Sequence, residues 1–123
     1  MTAEQTKTPK GKSYLHMVTS GDVSATDAEG LMKTIAPGMP NAGLPILAVV
    51  IEGSKFSPEA RQAFTRMNAN GAQQAPVAVV VSSAPLRVML GFIIRLSGAS
   101  SVTKFFGTEA DALTWLEEKL ATT

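Results

Sequence analysis

Ile46-Leu-Ala-Val-Val-Ile51, followed after a short turn by Phe56-Ser-Pro-Glu-Ala60, decides the fold of this chain. Six apolar residues in a row suit a strand covered on both faces, and Ser57-Pro58-Glu59 reads as a helix start. The serine can take up a free N–H of the first turn, proline there has no donor to lose, and glutamate complements the helix dipole. The same junction recurs twice. Val77-Ala-Val-Val-Val81 runs into Ser82-Ser-Ala-Pro-Leu86, and Val102-Thr-Lys-Phe-Phe106 runs into Gly107-Thr-Glu-Ala110. Repeated strand-then-helix units imply parallel strands, so the chain is α/β.

Working outward, residues 14–18 carry the aromatic and β-branched content of a strand, with an extension through Gly21-Asp-Val-Ser24. Thr26 or Asp27 then caps a helix in which Leu31, Met32 and Ile35 recur at helical spacing. Residues 1–12 read as a polar N-terminal segment or an edge strand, with a turn signal at Pro9-Lys-Gly11, and residues 13–123 as one domain. Residues 36–45 form a loop dense in proline and glycine. The Pro58 helix gathers Ala60, Ala63, Phe64 and Met67 on one stripe and stops where Asn70 or Gly71 takes a left-handed cap. After a loop at 97–101 and the last strand, a helix from Thr108 turns Ala112, Leu113, Leu116 and Leu120 inward beside Trp115. The expected elements are strands near 14–19, 46–52, 77–82 and 102–106, and helices near 26–36, 58–69, 85–97 and 108–121. Together they make a mixed sheet of four or five strands with about four helices, the helix after Ser24 packing near the final one.

The bulk numbers exclude several classes. A chain of 123 residues is long enough for one domain with a real core. Eleven basic and ten acidic residues leave a net charge of +1, which makes no electrostatic case for nucleic acid. Without cysteine there are no disulfides, thiolate metal sites or cysteine nucleophiles. The first ten residues lack the apolar stretch of a signal peptide, and no segment approaches the ~20 apolar residues of a transmembrane span. The expectation is a soluble cytoplasmic protein with no metal and no cofactor.

Chemistry has few candidates. His16 is the single histidine, in a strand with no acidic neighbour, so a catalytic role needs partners from other elements. Ser57, Ser82, Ser83 and Thr108 stand at helix starts, where capping is the ordinary reading; Ser83 with Arg87 one turn later is the candidate anion site. The Pro85 helix is the least ordinary segment. Leu86, Val88, Met89, Leu90, Phe92, Ile93, Ile94 and Leu96 surround nearly the whole cylinder, leaving Arg87, Gly91 and Arg95 as a thin polar seam. One sheet face uses about a third to a half of a helix circumference. Leu86, Met89, Leu90 and Ile93 are therefore expected to face the sheet, and Val88, Phe92, Ile94 and Leu96 to face a partner or an apolar ligand, the alternative being that neighbouring helices cover them.

These stretches, at 15–24, 47–64, 78–96 and 105–116, resemble the SpoIIAA-like family, relatives of the STAS domains of anti-sigma-factor antagonists. The closing Phe106-Gly-Thr-Glu-Ala-Asp-Ala-Leu-Thr-Trp-Leu116 is a good match. The resemblance implies a STAS-like sandwich and a non-enzymatic module that binds a partner protein or pairs as a homodimer. In the sigma-regulatory class a phosphorylatable serine lies in an Asp-Ser-Ser-Gly-like start to the helix after the central strand. Here that start is Ser57-Pro58-Glu59-Ala60, so the acceptor is not carried over, and Glu59 brings a permanent carboxylate instead. Ser57 and Glu59 join Val88, Phe92, Ile94 and Leu96 in the expected interaction surface. Some relatives look similar to lipid-binding folds, which makes a carrier or sensor of a small apolar ligand, held by Phe92, Ile93 and Leu96, the alternative. A module should present an apolar external patch with little internal volume. A carrier should enclose on the order of 300 Å³ or more, and an enzyme should bring carboxylates or hydroxyls to His16.

Overall fold

The computed structural model describes residues 2–34, 43–66, 75–97 and 102–121, without the side chains of Met32, Thr34, Arg66, Ser97, Leu120 and Ala121. The Asn70 or Gly71 cap, Met67 and most of the 36–45 and 97–101 loops lie outside these residues. In chain order the elements are β1 (Thr2–Lys7), β2 (Ser13–Thr19), β3 (Asp22–Val23), α1 (Ala25–Thr34), β4 (Ile46–Val50), β5 (Lys55–Phe56), α2 (Pro58–Arg66), β6 (Val77–Val81), α3 (Ala84–Ser97), β7 (Thr103–Phe106) and α4 (Glu109–Ala121).

The fold is α/β. Its main sheet is five-stranded and mixed, in the order β1-β2-β4-β6-β7. β1 runs antiparallel to β2, so the N-terminal segment is an edge strand, and every later pairing is parallel. A crossover between parallel strands is right-handed, and each one here advances to the next strand in the same direction. All three crossover helices therefore fall on one face. Leu31 of α1 packs with Leu15, Met17 and Ile46, while Ala60 of α2 and Leu90 and Ile93 of α3 pack with Val50, Val79 and Val81. The other face carries Tyr14, Leu47, Ala78 and Val80, and α4 covers it with Ala112 and Leu116. Strand alternation assigns these two sets to opposite sides. α1 consequently packs against α2 and not near the final helix as the sequence suggested, because the sheet separates α1 from α4.

Two local features differ from the sequence reading. The cap of α1 is Ser24, not Thr26 or Asp27. Its Oγ accepts the Asp27 N–H at 3.3 Å, and Asp27 Oδ2 accepts the Ser24 N–H at 3.0 Å, a reciprocal capping box with aspartate as the acid. The Ser24 N–H and hydroxyl hold the Asp27 carboxyl below its ordinary pKa. Asp22–Val23 does not extend β2; it pairs in parallel with Lys55–Phe56 as a separate small ladder. Gly21 and Gly53 turn the chain into that ladder with φ of 67° and 89°, conformations that favour glycine. Buried Ser54 ties the turn down, its hydroxyl donating to the Thr19 carbonyl at 3.1 Å.

Candidate functional site: an apolar surface on α3

α3 begins with a cap, as its sequence requires. Ser83 Oγ accepts the Leu86 N–H at 3.5 Å and Pro85 occupies the first turn, where its missing N–H has no intrahelical partner to lose. From there 3.6 residues per turn distribute its apolar side chains. Leu90 and Ile93 are buried, and Leu86, Met89 and Ile94 lie half-buried against the same cluster. Ile94 thus belongs with the core, a correction to its expected place on the outer surface. It lies about 40° round the helix from Leu90 and shares that residue's contact with the sheet side.

What remains is a stripe. Val88, Phe92 and Leu96, four residues apart, are 67%, 61% and 67% exposed. Among the described residues only one other large apolar side chain, Ile51, is exposed, and it follows β4. The stripe borders an open groove of about 760 Å³ between α2 and α3. Arg61, Gln62 and Thr65 form the α2 wall, and Met89, Phe92, Ile93 and Leu96 form the α3 wall. The 61% exposure of Phe92 matters most, since burying a phenylalanine is worth roughly 1.5–3 kcal/mol that the free chain leaves unused.

The other sequence candidates are engaged locally. Ser57 caps α2, its Oγ accepting the Ala60 N–H at 3.0 Å, and Glu59 is exposed in the first turn. Ser83 is a cap. Arg87, its expected companion at an anion site, donates from its guanidinium to the Val81 carbonyl at 3.3 Å and lies 6.0 Å from the centre of the Phe105 ring. A second cavity of about 320 Å³ lies beside the small ladder, where Ser24 and Ser57 bring two helix starts together.

Sequence reasoning missed one constellation. His16 Nε2 lies 2.9 Å from Glu109 Oε1, a carboxylate 93 positions away, and Tyr14 meets the His16 ring edge-on at 6.3 Å between centres. Burial first, and the Glu109 charge second, push the Tyr14 phenol above its ordinary pKa. No local signal could have found this trio, because it forms only when α4 returns over the face carrying β2. Glu109 is thus a carboxylate of the kind expected beside His16 in an enzyme, but the two side chains are 25% and 53% exposed and neither lines the two cavities.

β2, β4, β6 and β7 follow one another across the sheet without reversal. Among the described strands there is therefore no switch point of the kind at which open α/β sheets form a ligand crevice beyond their strand ends. Among the described residues no cluster of three metal-binding side chains occurs, and no helix is long and apolar enough to cross a membrane. These features define a small α/β domain whose outstanding surface is an apolar helix face. By sequence comparison, the chain belongs to the family described as a domain of unknown function (DUF7793), whose model matches residues 14–120. No curated protein and no solved structure matches it.

Proposed function

We propose that this chain is a non-enzymatic, STAS-like interaction module that docks a protein through the Val88–Phe92–Leu96 stripe and the groove beside it. The observation that carries this reading is the coherence of the exposed apolar surface. Three large side chains on one helix face, each more than half exposed, stand beside an apolar groove that is open to solvent. Apolar patches of this kind mark association surfaces more often than ordinary surface. The start of α2 comes after β4, the middle strand of the five, with only the two-residue β5 between them, and the helix after the central strand is where the resemblance puts the regulatory serine. Ser57 there serves as a cap and Pro58-Glu59 follows, so docking needs no phosphate.

Changing Val88 and Phe92 together to glutamate tests the reading. The double variant should keep the circular dichroism of the native fold and lose partner binding. Unfolding of the variant would assign both residues to the core and end the proposal. Ser57→Ala should cost about 1 kcal/mol in denaturant unfolding, the usual scale of a lost cap, with partner affinity unchanged. Stoichiometric Ser57 phosphorylation coupled to a change in affinity would reverse that view.

The volume of the groove favours a second reading, the carrier of a small apolar ligand, since about 760 Å³ lies within the range of ligand pockets. Its openness argues against this, because a bound ligand would keep one side in water. Native mass spectrometry separates the two: a carrier retains a copurifying small molecule that Val88→Glu with Phe92→Glu removes without altering assembly.

A further inference from the structure

The charge around the groove specifies the chemistry of what docks there. α3 contains two arginines and no carboxylate from Ala84 to Ser97. Arg95 is exposed and lies about 60° round the helix from Phe92, on the side away from the α2 wall. Across the groove, Arg61 forms part of that wall and is also exposed. Neither guanidinium has an ion-pair partner among the described residues. Glu59, the carboxylate of α2, is two positions from Arg61 and so about 200° round the helix from it. The apolar strip formed by Met89, Phe92 and Leu96 thus runs between two unpaired cations, with no carboxylate among the residues that line the groove.

Resting on the interaction reading above, we infer that the occupant is an amphipathic helical segment of another protein, with an apolar stripe flanked on both sides by aspartate or glutamate. Its apolar residues fill the groove beside Phe92, and its carboxylates meet Arg61 on one flank and Arg95 on the other. In helix-in-groove docking an amphipathic helix lays an apolar face into an apolar groove of this kind, and complementary charge sets orientation and suppresses wrong partners. A second copy of this chain is the poorer occupant. A two-fold interface presents the same patch from both sides, which would set Arg61 and Arg95 against the partner's own arginines.

Two synthetic peptides of about 16 residues test this, each with the same leucine stripe, one flanked by glutamates and the other by lysines. Titrated into the ¹⁵N-labelled full chain, the glutamate peptide should shift resonances of α2 and α3 and bind about tenfold more tightly than the lysine peptide, with the preference shrinking in salt. R61E with R95E should invert the preference, and Phe92→Glu should abolish binding of both peptides in a chain that remains folded. Equal affinity for the two peptides, with Phe92 still required, would overturn the acidic partner while leaving the interaction reading intact. Indifference of binding to Phe92→Glu would overturn both. Failure of the glutamate peptide to bind at millimolar concentration also overturns the inference. So does Phe92-dependent binding to phosphatidylglycerol vesicles in place of the glutamate peptide, or a native dimer that Phe92→Glu dissociates.

Discussion

α3 and α4 flank the same strand, β7, yet they use their apolar residues in opposite ways. α4 is the helix that covers its face of the sheet, and it spends its apolar side there: Ala112 and Leu116 are wholly buried, and Leu113 and Trp115 pack against the same cluster. α3 shares its face with α1 and α2, and carries more apolar surface than the sheet and α2 can cover. The remainder, Val88, Phe92 and Leu96, stays in water. The charges diverge too. The first turn of α4 holds Glu109 and Asp111, whereas that of α3 holds no acid. The difference teaches that the fold packs the described apolar side chains of α4 against its sheet face but those of α3 only in part, which leaves Val88, Phe92 and Leu96 in water.

Several measurements would break or sharpen that contrast. The largest effect belongs to α4: Leu116→Ala removes a wholly buried side chain and should cost about 2–5 kcal/mol in urea unfolding. If it cost no more than a surface change, α4 would not be the cover of its face. Next come the caps at the two helix starts, where Ser83 Oγ and Thr108 Oγ1 accept N–H groups at 3.5 and 3.3 Å. Ser83→Ala and Thr108→Ala should each cost about 1 kcal/mol, a symmetry that places the contrast between the helices in their sides and not in their ends.

The α4 face should also show an alkaline limit. The folded Tyr14 phenol titrates above its unfolded value, so its contribution to stability is complete below about pH 10 and declines as pH rises through the folded pKa. Unfolding followed from pH 8 to 11 should show this decline, and Tyr14→Phe should remove the part due to this residue. Glu109→Gln should reduce it, since the Glu109 charge is the second cause of the shift. The smallest effect should come from the outer stripe. Phe92→Ser should change stability by no more than about 0.5 kcal/mol, as surface substitutions do. A loss comparable to Leu116→Ala would make Phe92 core, and the two helices would no longer differ.

Much of this was legible in the chain itself. Strand-then-helix junctions announced β4–α2, β6–α3 and β7–α4, and Ser57, Ser83 and Thr108 cap the helices they precede. The apolar excess of the Pro85 helix was equally plain, as was the exposure of Val88 and Phe92. These signals are local: a cap acts three residues onward, and apolar period follows from backbone geometry. The cap of α1 lies two or three residues before Thr26 or Asp27, the positions the sequence suggests, because Ser24 also reads as the end of a strand and Asp27 serves as the acid that reaches back to it.

By itself, then, the sequence determined the α/β class, the order of the main elements and the existence of a helix with more apolar surface than one sheet face can use. Only the tertiary structure decided where that surface ends, with Ile94 drawn to the core while Val88, Phe92 and Leu96 stay outside. It alone set α1 against α2, paired Asp22–Val23 with Lys55–Phe56, and brought Glu109 to His16. The reason is that contacts between distant segments depend on the handed path of each crossover and on which face of the sheet it leaves open. Neither is encoded within the few residues over which caps and periodicity act.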